Sequence, residues 1–266
     1  MTNSYSFHMG SVPLLVSVPH DGRQLPDDIA TQMTDAGKSL PDTDWHVARL
    51  YRFAKERGAS MIIANYSRYV VDLNRPADDA AMYEGQLATG LCPTQTFSGK
   101  DIYAAKVTID IDDRVRRYWR PYHDKIKETL EELREAHGYA LLWDAHSIAS
   151  RVPTLFEGEL PVLNFGTWDG RSCGNAMSDA LLRVAAEGPY DAVLNARFKG
   201  GHITRHYGKP EANVHAVQLE LAQRAYMDEA TANYDEAKAS QLGDTLWCLL
   251  ESFTKTASDN AGIMPR

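Results

Sequence analysis

Residues 12–22 read VPLLVSVPHDG, an apolar run of strand length that stops abruptly at the turn-forming His20-Asp21-Gly22. It describes a buried strand that delivers a histidine at its C-terminal end. The same pattern recurs outward from it. Val47, Leu50, Tyr51 and Ala54 recur at helical spacing before Gly58, with Asp44 in the first turn. Residues 61–64 and 68–72 are two short strand-like runs, the second leading into Asp72-Leu73-Asn74-Arg75 and Pro76. Tyr122, Ile126, Leu130 and Leu133 share one helix face that runs to Gly138, with Pro121 expected to break or kink it upstream. Residues 139–143 form another buried-strand run, ending in Asp144-Ala145-His146-Ser147.

The second half continues the alternation. It predicts a strand at 161–165, a helix at 175–187, a strand at 190–196 and a loop at Lys199-Gly200-Gly201-His202. Residues 214–219 alternate like a strand and deliver Glu220. Leu242, Leu246, Leu249, Leu250 and Phe253 make a final amphipathic helix. Residues 77–104 have no clear period and read as a long surface excursion, either an active-site lid or a plain loop. Without an internal repeat or low-complexity linker, the expectation is one α/β domain over residues 1–266, with a mixed, mostly parallel sheet flanked by helices. Ligands bind such sheets at the carboxyl ends of the strands.

The net charge of −8 and the 24% charged content describe an ordinary globular protein and argue against nucleic acid or an anionic membrane as partner. The arginines 114, 116, 117 and 120 lie beside Asp110, Asp112 and Asp113 and read as a solvated helix face. Cys92, Cys173 and Cys248 are far apart and form no C-x-x-C pair, so reduced thiols are expected. No secretory signal and no stretch near the roughly 20 apolar residues of a membrane span is visible, which points to the cytoplasm.

Several apolar runs end in residues that bind metals or protons: His20 with Asp21, His146 after Asp144, and Glu220. Catalytic zinc takes about three protein ligands from His and carboxylate, and His20, His146 and one of Asp42 or Asp44 could supply them. Glu220 is then placed to accept a proton from water. Each has a structural alternative: a turn histidine, a helix-terminal acid, a carboxylate paired with an arginine. Arg68 and Arg75 flank RYVVDLNR, and Arg205 follows the GGH loop beside His202 and His206. A small carboxylate substrate would account for these arginines together, whereas an Arg75–Asp72 ion pair is the internal alternative.

Taken in order, SVPHDG (17–22), DTDWHVARLY (42–51), SRYVVDLNRP (67–76), LCPTQTFSGKDIY (91–103), DAHS (144–147) and GGHITRHYG with the later VQLEL resemble the N-formylglutamate amidohydrolases over nearly the whole chain. That resemblance implies a zinc carboxypeptidase-like (phosphorylase/hydrolase-like) fold and zinc-dependent hydrolysis of N-formyl-L-glutamate to formate and L-glutamate in histidine degradation. It implies His20 and His146 as zinc ligands and Glu220 as general base. Arg68 is expected to polarise the amide carbonyl and Asn74 with Arg75 to bind a substrate carboxylate. Arg205, with His202 or His206, is expected at the other carboxylate. The acid of the carboxypeptidase pattern is replaced by Arg23, so the third ligand is expected to be Asp44, with Asp42 and Asp21 as alternatives. The partner expected is a small dicarboxylate, bound by a monomer or small homo-oligomer. The nearest rivals are another N-acyl amino acid as substrate, of the N-acetyl-aspartate or N-acetyl-glutamate type, and a non-catalytic ligand-binding protein on the same fold.

Overall fold

The computed structural model describes residues 3–80, 89–105 and 107–261. Seven strands, β1 (Tyr5–His8), β2 (Leu14–Val18), β3 (Ser60–Ala64), β4 (Ala140–Ile148), β5 (Leu163–Gly166), β6 (Ala192–Leu194) and β7 (Val214–Ala222), form one sheet in the order β1-β3-β2-β4-β7-β5-β6. The pairs β3–β2, β2–β4, β4–β7 and β5–β6 are parallel, while β1–β3 and β7–β5 are antiparallel. The sheet is therefore mixed and mostly parallel, with helices on both faces.

Side-chain alternation sorts the strand residues between the two faces. Val16, Leu141, Trp143, Val217 and Leu219 pack in one core cluster with Leu181 of the Asn175–Glu187 helix and Leu246 of the Glu236–Ala261 helix. Leu15, Ile62, Leu142 and Ala216 pack on the other side with Ile126 and Leu130 of the Arg120–His137 helix. By the same alternation Asp144 and His146 of β4 follow Leu142, and Gln218 and Glu220 of β7 follow Ala216. In the parallel register Asp144 lies opposite Gln218 and His146 opposite Glu220. Two strands that look separately apolar in sequence thus present four polar side chains on one face at their carboxyl ends.

Three local expectations are corrected. Residues 68–72 are a turn, not a strand: the Val70 N–H donates to Ser67 O (2.9 Å), and Arg68 reaches Asp72 across four positions. The Tyr69 and Val70 carbonyls are met by Arg114 (3.3 and 3.0 Å), which is buried instead of lying on a solvated face. Pro121 does not end its helix, which runs on from Ile111 to His137, but a π-helical turn at Val115–Trp119 lies immediately upstream of it. Gly200 and Gly201 lead directly into a short helix, His202–Tyr207.

The excursion is also less superficial than its sequence implies. Leu91 and Ile102 are fully buried, and the Asp72 N–H donates to Leu91 O at 2.7 Å, so residues 89–105 are stitched into the core beside the 68–75 segment. Residues 81–88 lie outside the described residues, and with them the question of a lid. No described helix is long and apolar enough to cross a membrane.

At the start of the long helix Trp119 stacks on His123 (ring centroids 3.7 Å), and His202 lies 5.4 Å from His123 and 5.0 Å from His206. Burial, with His202 beside it, holds His123 well below the usual histidine range; burial, with His206 beside it, pushes His202 down to about 4. Both rings are neutral in the fold, whereas unfolded histidine protonates near pH 6.5. The unfolded chain therefore gains protons first as pH falls, and stability is lost between about pH 6.5 and about pH 4. Urea midpoints should be lower at about pH 5 than at about pH 7, and His202→Gln should narrow that gap; an equal gap in the variant would remove His202 from the explanation.

Candidate active site

His20 follows the end of β2, His146 projects from β4, and Asp44 lies in the segment leading to the Val47–Leu50 helix. The Asp44 N–H donates to His20 O (3.1 Å), pinning that segment to the strand end. His20, His146 and Asp44 are buried, at 3%, 2% and 1% exposure, and each offers a ligating atom within 4.8 Å of the others. Asp44 Oδ2 is 3.0 Å from His146 Nδ1 and 3.7 Å from His20 Nδ1, and it accepts the Ser147 N–H at 3.1 Å.

A ring of hydrogen bonds orients these groups. His20 Nε2 donates to Asp72 Oδ1 at 2.8 Å, which leaves Nδ1 as the lone-pair nitrogen facing Asp44. That Nδ1 is buried and makes no hydrogen bond among the described residues. Asp72 also accepts from Arg68 Nη2 (2.7 Å) and from the Asn74 N–H (2.9 Å). His146 Nε2 lies 3.2 Å from Asp144 Oδ1 and 2.9 Å from Asn74 Nδ2. Two imidazoles with carboxylates behind them and a third carboxylate between them make a donor set that suits a divalent cation with an open position. The orphaned His20 Nδ1 fits the same reading.

The electrostatics follow from burial among charges. Although burial opposes it, the neighbouring His20 and the hydrogen bond to His146 hold Asp44 well below the usual carboxylate range. Asp72 is likewise held down against burial, by Arg68 and His20. Glu220 behaves oppositely: burial pushes it up to about 8, with the His146 charge opposing the rise and Asp44 reinforcing it. The other two candidate acids are occupied. Asp21 accepts from the His46 and Ala48 N–H groups (3.2 and 2.9 Å) at the start of the Val47–Leu50 helix, and Asp42 binds Tyr69 Oη (2.5 Å) and the Phe97 N–H (2.8 Å).

A cavity of about 100 Å³ opens beside these groups, with Arg68, Arg75, Arg197 and Glu220 on its wall. Arg68 Nε and Arg75 Nε are buried without a hydrogen-bond partner among the described residues. Arg205, His202 and His206 do not line it. Arg205 Nε donates to Gly200 O (2.7 Å), His202 belongs to the aromatic stack, and His206 is exposed. Arg197, and not Arg205, is on the cavity wall. Asn74 lines the cavity, yet its amide is engaged with His146 and with the Ile203 N–H (2.9 Å). Asp72 was visible in sequence as a possible partner of Arg75, but it pairs with Arg68 and His20. Arg197 lies in none of the quoted stretches, and Phe97 and Gln218 lie inside LCPTQTFSGKDIY and VQLEL without a feature that marks them individually.

Residues 12–227 match the N-formylglutamate amidohydrolase family. An N-formylglutamate deformylase of Pseudomonas putida is 49% identical over 91% of this chain and 93% of its own. One of Pseudomonas aeruginosa is 53% identical over 86% and 87%. Among solved structures, an N-formylglutamate amidohydrolase of Ralstonia eutropha JMP134 superposes with a TM-score of 0.78 at 23% identity, over 98% of each chain. A gene product of Agrobacterium tumefaciens gives 0.73 at 18% identity, over 94% and 96%. The last two likenesses speak to the fold.

Gly201 controls Asn74 by contact. A Cβ there would lie 2.3 Å from Asn74 Nδ2, so alanine must displace the amide that bears on His146. Gly201→Ala should weaken divalent-cation binding by about 10- to 100-fold, as loss of a partner behind a ligand does. Competition with a chromogenic chelator reads this directly; unchanged affinity would show that Asn74 does not set His146.

Proposed function

The chain belongs to the N-formylglutamate amidohydrolase family, and from that premise we propose that it hydrolyses N-formyl-L-glutamate to formate and L-glutamate, using zinc held by His20, Asp44 and His146. The observation that carries this reading is the meeting of a buried His-Asp-His set with a cavity walled by three arginines, in a chain whose net charge is −8. A dicarboxylate with a neutral formyl amide is the chemistry that uses both. The proposed setting is histidine degradation, as the family resemblance implies.

Zinc, when bound, supplies Lewis acidity: it lowers the pKa of water to about 7 and polarises an amide oxygen. The remaining work falls to the chain. Asp72 holds the Nε2 side of His20, so its Nδ1 faces Asp44, while His146 turns its own Nδ1 to Asp44 with Asn74 and Asp144 beside its Nε2. Glu220 takes the proton of the attacking water and hands it to the leaving nitrogen, and its buried, weakly solvated carboxylate is a stronger base than an exposed one. Arg68, fixed by Asp72, keeps its charge and faces the negative charge that develops on the carbonyl oxygen. Arg75 and Arg197 are the proposed partners of the two substrate carboxylates, with Asn74 setting His146 rather than gripping substrate.

Formate release from N-formylglutamate, measured before and after chelation with metal analysis alongside, tests the reading. Full activity in metal-free protein would end the zinc mechanism, and no formate release by the metal-loaded protein would end the substrate assignment. Glu220→Gln should lower kcat by about 10²- to 10⁴-fold while leaving metal content intact. Arg75→Ala and Arg197→Ala should mainly raise KM, because they remove binding common to ground and transition states. An unchanged KM in either variant would assign that carboxylate to another residue.

A further inference from the structure

We propose that Phe97 sets the acyl-group size, by closing the catalytic cavity off from a second cavity of about 370 Å³. The inference rests on the amide-hydrolase reading above and adds to it a class of substrates: N-acylglutamates with short acyl chains, excluded by one side chain. Phe97, Ser147 and Ile148 line both cavities, so they form the partition between them. The partition stands at the metal end of the site. Arg68 Cζ lies 5.0 Å from the Phe97 ring centroid, and Arg68 Nη1 lies 3.6 Å from Asp44 Oδ1. Ser147 adjoins His146 and donates its N–H to Asp44. An acyl carbon held between Arg68 and the His-Asp-His set therefore faces this wall, whereas Arg75 and Arg197 serve the carboxylate end.

The wall blocks by its ring and is anchored by its backbone. The Phe97 N–H donates to Asp42 Oδ2 at 2.8 Å, and Phe97 O accepts from the Thr154 hydroxyl. Neither bond involves the ring, so shortening the side chain opens the partition without releasing the strap. The space behind is lined by Ile148, Ala149, Val152 and Pro153 among others, a largely apolar surround that suits an alkyl group. A formyl group carries only hydrogen on its carbonyl carbon and needs none of that space. An acetyl or propanoyl group needs it, and meets the phenyl ring instead.

The test compares kcat/KM for N-formyl-, N-acetyl- and N-propanoyl-L-glutamate in the metal-loaded wild-type protein, Phe97→Ala, Phe97→Leu and Phe97→Ala with Ala149→Phe. Ala149 lines only the second of these two cavities, so the added ring is placed to refill that space. The acetyl-to-formyl ratio should rise about 10-fold or more in Phe97→Ala, within the range that one methylene commands in a pocket. It should rise less in Phe97→Leu and fall back in the double variant. Ratios unchanged across folded variants that still release formate would overturn the assignment to Phe97. Absence of formate release in the wild-type protein would instead overturn the deformylase reading, so the two failures are distinguishable. Thermal melts identify any variant that fails to fold, and the leucine variant, which keeps an apolar side chain at this half-buried position, decides the question if alanine does not fold.

Discussion

One buried carboxylate organises the site. Asp72 is 1% exposed and accepts from the His20 ring, the Arg68 guanidinium and the Asn74 backbone N–H. A charge in that position survives only because each bond is made; removing one partner of a buried pair costs about 3–5 kcal/mol. Its demand for partners bends residues 68–72 into a turn, selects the His20 tautomer and fixes Arg68 between two acids. It also starts the Asp72-Leu73-Asn74-Arg75 segment at a defined point. That segment is held from behind by His123 Nε2 on Leu73 O (2.8 Å) and Trp119 Nε1 on Arg75 O (2.9 Å), which ties a catalytic surface to the long helix.

The sheet supplies the other half of the constraint. Parallel pairing of β4 with β7 sets His146 opposite Glu220, and the period of two puts Asp144, His146, Gln218 and Glu220 on one face. A slip of one residue would turn His146 into the Trp143 side of the core. Close packing on both faces makes that slip costly, so the site inherits its precision from burial: Trp143, Leu142, Leu219 and Val217 are fully enclosed. Glu220 owes its raised pKa to the same enclosure.

Charge is distributed by the same logic. The chain carries a net charge of −8, yet Arg68 and Arg75 of one segment and Arg197 of another converge on one small cavity. Positive charge is concentrated at that cavity, and the chain total gives no sign of it.

The sequence by itself determined the alternating strands and helices, because long apolar runs and helical spacing are local signals that tertiary packing here reinforces. It also marked His20, His146, Glu220 and Arg68 as strand-end or run-end residues that could meet, and it named Asp44 among three acids. Tertiary structure alone decided between those acids: Asp21 is taken by the N–H groups at a helix start, Asp42 by Tyr69 and Phe97, and only Asp44 lies between the two histidines. It likewise put Arg197 on the cavity wall, buried Arg114 beneath the 68–72 turn and brought the Asn74 amide against His146. These choices were illegible in sequence because each depends on which residues far apart in the chain compete for the same hydrogen bonds, and that competition exists only once the sheet has brought them within reach.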